Sequence, residues 1–223
     1  MSQEVHDQLI EYILDANVPL AVAIIEDWIE QYGSEKTFNE LIDPIMSRAG
    51  AMWENDRGEI NLAQGYIAAK IIEMAMSNVV APAGLAEAVK GPIVVGNVED
   101  DFHQLGKNMV ISFLQMSGWK VIDLGVDVPA EEFVDQAVES GSRVIGVSAM
   151  TYTNALNIEA IRSEIDRRGL TGRIKLAVGG AVFTTRPELS DQLGADGMAV
   201  NCIKTPMLFE QLWADAEELA STY

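Results

Sequence analysis

Few residues in this 223-residue chain could do chemistry: it has two histidines, His6 and His103, and one cysteine, Cys202. His103 stands in the run Gly96-Asn97-Val98-Glu99-Asp100-Asp101-Phe102-His103-Gln104-Leu105-Gly106, which contains Asp-x-His-x-x-Gly at Asp101, His103 and Gly106. A neutral imidazole is a base or a metal ligand near physiological pH. A nearby carboxylate that accepts a hydrogen bond from one ring nitrogen fixes the tautomer and raises the basicity of the other. Alone, the pattern also describes an ordinary solvated loop pair, so its meaning depends on the rest of the chain. Ser148-Ala149-Met150 follows Gly106 after 41 residues, and Gly179-Gly180 follows Met150 after a further 28. His6 lies in a polar N-terminal segment and is expected to be solvated. Cys202 is expected to be a small core residue, and one cysteine excludes an internal disulfide framework or a multi-cysteine metal site.

The elements that must position these residues change character near residue 88. Before it the period is helical: Val5, Leu9, Ile10, Ile13 and Leu14, then Leu20, Ile24, Ile25 and Trp28, with Gly33 as a stop. Thr37 and Glu40 fit a capping box that opens a third helix with Phe38, Leu41, Ile45, Met46 and Met52 on one face. A fourth helix is expected from Asn61 to Val80, giving a four-helix bundle over residues 1–88, and a linker runs from Ala81 to about Gly91. Beyond it, short β-branched runs (Ile93–Gly96, Lys120–Leu124, Val144–Val147, Lys175–Val178) alternate with helical stretches. A weaker fifth strand lies near Met198–Val200, before a closing helix over 205–219. Fully buried strands alternating with helices predict a Rossmann-like (flavodoxin-like) five-stranded parallel sheet over residues 89–223. Ligands of such sheets sit beyond the strands' carboxyl ends, at Asn97–His103, Gly125–Asp127, Ser148–Thr151, Gly179–Ala181 and Asn201.

Charge narrows the partners. Fifteen Lys and Arg oppose 34 Asp and Glu, a net charge of −19. A field of that sign opposes phosphate backbones and anionic membranes, so nucleic-acid binding through a basic patch is close to excluded. The most apolar region, Ile71 to Val89, is interrupted by Glu73, Asn78 and Pro82 and fails as a membrane span. No signal peptide is visible in MSQEVHDQ, so a cytoplasmic location is the expectation.

The three separated elements, Asp101-x-His103-x-x-Gly106, Ser148-x-Met150 and Gly179-Gly180, resemble the cobalamin (B12)-binding domain of methionine synthase, base-off mutases and methyltransferase corrinoid proteins. The resemblance covers residues 91–223. Met150 stands where the family has Leu, a swap that keeps a flexible apolar side chain of similar volume. The resemblance implies a base-off, His-on cobalamin: His103 replaces the cofactor's own dimethylbenzimidazole below cobalt, and Asp101 orients the ring. It implies that this pair is proton-sensitive, that Ser148 bonds the displaced base, and that Gly106, Gly179 and Gly180 leave room for the nucleotide tail. Phe102, Gln104, Thr151 and Met198 are further candidate contacts.

The stretch Met52-Trp53 to Gly58-Glu59-Ile60-Asn61-Leu62-Ala63-Gln64 is similar to the helical cap module of methionine synthase and corrinoid shuttle proteins. The similarity implies that residues near Leu62, Tyr66 and Ile67 cover the reactive face of the corrin. They are equally compatible with bundle core. B12-dependent light sensors share the module but carry Glu-His where this chain has Ala63-Gln64, and B12 mutases add a large barrel. The resemblance therefore implies a corrinoid methyl carrier. It would accept a methyl group on Co(I) from a substrate:corrinoid methyltransferase and pass it to a second methyltransferase, served by a reductive activase. A cobalamin-dependent regulatory or light-sensing module is the alternative, and B12 storage a third option.

Overall fold

The computed structural model describes residues 2–42, 44–45, 48, 67, 70–71, 88–199, 201–202 and 204–220. The chain divides into two compact units, Met1–Gly84 and Leu85–Tyr223.

The first unit is helical. Helix α1 (Ser2–Leu14) buries Leu9, Ile10 and Ile13, the face its spacing predicts. Helix α2 (Val18–Tyr32) is capped by Asn17, whose side chain accepts from the Leu20 amide, and ends at Gly33 with φ 80°, as expected. The buried face of α2 is Ala21, Val22 and Ile25, whereas Leu20 is 47 % exposed. Residues 20 to 25 are all apolar, so spacing alone does not select the seam. The capping box at Thr37 is not formed. Thr37 closes a short helix α3 (Ser34–Thr37), and its hydroxyl donates back to the Gly33 carbonyl at 2.9 Å. A π-helical turn, Phe38–Ile42, follows and buries Leu41 and Ile42. His6 is not merely solvated: its Nε2 donates to the Glu40 main-chain oxygen at 2.6 Å. Of the expected fourth helix, Ile67, Lys70 and Ile71 are helical and Ile71 is buried. Leu62, Tyr66, Trp53, Ala63, Gln64 and most of the linker lie outside the described residues.

The second unit is a parallel five-stranded sheet. Strands β1 (Lys90–Asn97), β2 (Trp119–Asp123), β3 (Val144–Ser148), β4 (Lys175–Gly179) and β5 (Gly197–Met198) stand in the order β2-β1-β3-β4-β5. The chain passes from β1 outward to β2 and then returns across β1 to β3. Right-handed crossovers in opposite directions must place their helices on opposite faces. Helix α4 (Gln104–Met116) follows β1, and helix α5 (Ala130–Ser140) follows β2. Helices α6 (Tyr152–Leu156) and α7 (Ile158–Arg167) follow β3. Two short helices, α8 (Ala181–Thr185) and α9 (Leu189–Gln192), follow β4, and α10 (Thr205–Ala220) closes the unit. One core joins Ile93, Val95, Val144 and Ala177 to Leu114 of α4 and Phe209 and Leu212 of α10. The other joins Val94, Ile145, Val147, Leu176 and Val178 to Phe133 of α5 and Ile158, Ile161 and Ile165 of α7.

Two strand glycines let these helices approach. A Cβ on Gly96 would lie 2.8 Å from the Phe133 ring, and one on Gly146 would lie 2.8 Å from the Phe209 ring. Each phenylalanine thus fills the place a strand side chain would take, one on each face of the sheet. The reversal of direction between β1 and β3 is the topological switch point, where ligands bind in open sheets of this order.

Candidate cofactor site

At the switch point, Asn97 of β1, Ser148 of β3 and Gly179 of β4 lie side by side in parallel register. Side chains alternate along a strand. Ile93 and Val95, Val144, and Ala177 face α4 and α10, so Asn97, Ser148 and Gly179 face that side too. Among the described residues the Ser148 hydroxyl has no hydrogen-bond partner, although its carbonyl accepts from the Val98 amide at 3.1 Å. A Cβ at Gly179 would make only ordinary contact with Ala199, 3.5 Å away, and one at Gly106 would meet nothing within 4 Å. Neither glycine is required by the protein's own packing. Gly180 is different: its φ is 115° and a Cβ there would lie 2.1 Å from the Ala149 carbonyl oxygen. That glycine serves the crossing of two loops.

The loop after β1 carries the imidazole. His103 Nδ1 is 2.8 Å from Asp101 Oδ1, and the same oxygen accepts the His103 main-chain N–H at 3.0 Å. Asp101 Oδ2 accepts from Asn97 Nδ2 at 3.2 Å and from the Met150 amide at 2.9 Å. Four donors converge on this fully buried carboxylate, so it acts as an acceptor and Nδ1 is the ring nitrogen that carries hydrogen. In the neutral ring this tautomer leaves the lone pair on Nε2, on a side chain that is 60 % exposed. The loop itself is held at successive peptides. Asn157 donates to the Glu99 carbonyl and Asn154 to the Asp100 carbonyl, each at 3.0 Å. The Asp101 carbonyl accepts the Asp127 amide at 3.1 Å, and the Asp127 carboxylate accepts the Asp100 amide at 2.8 Å. Asp100 and Asp127 have φ of 66° and 57°, a left-handed conformation that aspartate tolerates better than most side chains. Behind the loop, the buried Lys107 ammonium of α4 pairs with Asp123 at 2.5 Å.

The structure brings Asp101, His103, Gly106, Ser148, Gly179 and Gly180 to one end of the sheet. Phe102 and Met150 are 64 % and 44 % exposed beside them, and Gln104 is exposed at the start of α4. Two other candidates are engaged elsewhere. The Thr151 side chain caps α6 in a reciprocal pair with Asn154, with its hydroxyl 2.5 Å from Asn154 Oδ1. Met198 packs on the opposite face of the sheet, against the α5 and α7 core. Leu62 and Tyr66 lie outside the described residues. Asn97 and Asp127 fall in the strand-end segments expected from sequence but were given no role there, and Asn154 was not among them. The signals available were a polar residue ending an apolar strand and a Thr-x-x-Asn capping pattern before α6.

Among the described residues, no group of three or more His, Cys, Asp or Glu side chains is placed to hold a metal ion. The site offers one oriented imidazole. That donor set suits a metal whose remaining positions are filled by its own macrocycle, and the open Cβ positions at Gly106 and Gly179 leave room for such a group to approach the backbone. Among the described residues, no helix is long and apolar enough to cross a membrane.

Comparison with known proteins gives the same picture. Residues 91–201 match the B12 binding domain family, and residues 5–79 match a second model also described as a B12 binding domain. Dimethylamine corrinoid protein 2 of Methanosarcina mazei is 31 % identical over 206 residues, covering 89 % of this chain and 92 % of that protein. Among solved structures, the Methanosarcina barkeri monomethylamine corrinoid protein superimposes with a TM-score of 0.81 at 23 % identity, over 95 % of this chain and all of that one. The methanol:cobalamin methyltransferase complex of Methanosarcina barkeri matches with a TM-score of 0.53 at 22 % identity, over 100 % of this chain and 88 % of that one. The two structural likenesses speak to the fold.

Proposed function

The chain belongs to the B12-binding corrinoid proteins of methyltransferase systems, and from that premise we propose that it is a methyl carrier with His103 as the lower ligand of a base-off corrinoid. One observation carries the assignment: Asp101 accepts a hydrogen bond from His103 Nδ1–H, which leaves Nε2 as the free nitrogen of a ring exposed at the switch point. When bound, the corrinoid supplies a cobalt centre that accepts a methyl group and yields it again. The chain's residues do the rest. Asp101 fixes the tautomer and direction of the imidazole, and Asn97 and the Met150 amide fix Asp101. The Ser148 hydroxyl is the donor for the cofactor's displaced base, and Gly106 and Gly179 let its nucleotide tail lie against the backbone. Phe102 and Met150 offer apolar surface beside the imidazole.

The partners follow from the same reading. The methyl donor is held by a substrate:corrinoid methyltransferase, a second methyltransferase takes the methyl group on, and a reductive activase restores cobalt. The similarity to a dimethylamine corrinoid protein over most of both chains supports partners of this class. With a net charge of −19, docking through basic partner faces is favoured and weakens with salt.

The test is methyl transfer by the cobalamin-loaded protein with a methyltransferase encoded beside it. Label moving from the methylated substrate to the corrinoid protein and on to an acceptor supports the carrier. No transfer, together with a light-dependent change of oligomeric state in the adenosylcobalamin-loaded protein, would replace it by a sensor.

A further inference from the structure

We propose that Asn97 is a positioning residue for the His103 imidazole, acting through Asp101 and through the main chain of His103; this rests on His103 being the cobalt ligand. Asn97 is fully buried at the carboxyl end of β1. Both hydrogens of its amide are used: Nδ2 donates to Asp101 Oδ2 at 3.2 Å and to the His103 carbonyl oxygen at 3.1 Å. Turning the amide over would set Oδ1 against two acceptors, so its orientation is fixed. The two recipients are the carboxylate that aims the ring and the peptide that carries it. A single rigid amide therefore sets both ends of the Asp101–His103 pair relative to β1. Without it, Oδ2 keeps only the Met150 amide, and the carboxylate is freer to rotate Oδ1 away from Nδ1.

The other end of the same side chain shows that packing is not its purpose. Asn97 Oδ1 is buried and has no hydrogen-bond partner among the described residues. An orphaned acceptor is costly, and an apolar residue of similar volume would avoid that cost. What such a residue could not supply is the pair of donors.

The test reads the imidazole nitrogens by NMR in the cofactor-free protein at neutral pH. With two histidines in the chain, His103→Ala assigns the His103 signals by difference. The wild-type ring is expected mainly in the Nδ1–H tautomer. Asn97→Leu, with no donors, and Asn97→Asp, with acceptors only, are expected to lower that tautomer ratio about fivefold, the weight of one net hydrogen bond. Asn97→Ser, which keeps one hydroxyl donor, should recover part of the loss. Should Asn97→Asp fail to fold, the Leu and Ser variants decide: equal ratios in both, or ratios equal to wild type, overturn the proposal. Loaded with cobalt(II) cobinamide, a corrinoid with no base of its own, the variants should lose axial nitrogen splitting in the EPR spectrum in the same order. If His103→Ala leaves that splitting intact, the ligand assignment fails, whereas the tautomer measurement still judges Asn97 independently.

Discussion

His103 and Asp101 are joined twice to a single oxygen: Asp101 Oδ1 accepts both the ring Nδ1–H at 2.8 Å and the main-chain N–H at 3.0 Å. The carboxylate is fully buried while the imidazole is 60 % exposed, so the anchored half of the pair points inward and the reactive half outward. The second carboxylate oxygen reaches Asn97 on β1 and the Met150 amide after β3. One side chain thus ties the ring to the two strands that flank the switch point.

The first prediction concerns that tie. Asp101→Asn keeps the size of the side chain but turns one accepting oxygen into a donor facing donors. The cofactor-free protein should lose about 1–3 kcal/mol, the cost of leaving buried polar groups unpaired. A lower urea midpoint at unchanged slope would register it. An unchanged midpoint would mean the four bonds contribute nothing net to the fold.

Gly106 separates folding from binding. It stands in the first turn of α4, with open space where a Cβ would be. Gly106→Ala should leave the cofactor-free protein as stable or up to about 1 kcal/mol more stable. The same change should weaken cobalamin binding about tenfold or more, the affinity equivalent of roughly 1.4 kcal/mol. Calorimetry of the empty protein and a cobalamin titration report the two effects separately, and unaltered affinity would remove Gly106 from the site.

Gly146 tests the core on the α4 and α10 face. A methyl group at Gly146 would meet Phe209 at 2.8 Å, so Gly146→Ala should destabilise by about 1–3 kcal/mol through overpacking. Adding Phe209→Leu should recover part of that loss although it costs stability alone. Simple additivity of the two changes would contradict the contact.

Acid should act through α7. Hydrogen bonds from Arg167 and then Arg168 hold the Glu164 carboxyl at about 2, below its ordinary 4.5. A carboxylate lowered in the folded state stabilises above the unfolded value, and the contribution is lost as pH falls from about 4.5 toward about 2. Urea midpoints followed from pH 6 downward should therefore differ most between wild type and Glu164→Gln at the upper end and converge in acid. Parallel profiles would refute the linkage.

Much of the fold was legible because β1, β3 and β4 are buried along most of their length and read as apolar runs rich in β-branched residues, with the partly exposed edge strand β2 marked by Val121 and Ile122. The Asp101, His103, Ser148 and Gly179 positions were legible because they sit at strand ends at fixed spacings. Asn97 was not, since its role comes from Asp101 and the His103 carbonyl folding back onto it. Met198 illustrates the period of a strand: it faces α5 and α7, whereas its neighbours Gly197 and Ala199 face Leu208 and the Gly179 backbone. In the helical unit, Leu20 fell outside the seam because α2 is apolar on several sides, and Thr37 bonded backward to Gly33 instead of forward to a new helix.

The most direct measurement is the EPR spectrum of the protein loaded with cobalt(II) cobinamide, a corrinoid with no base of its own, compared between wild type and His103→Ala. The wild type should show superhyperfine splitting from one axial nitrogen and the variant should lose it while still binding the corrinoid. Splitting that persists in His103→Ala, or that is absent from the wild type, would contradict His103 as the ligand that holds cobalt.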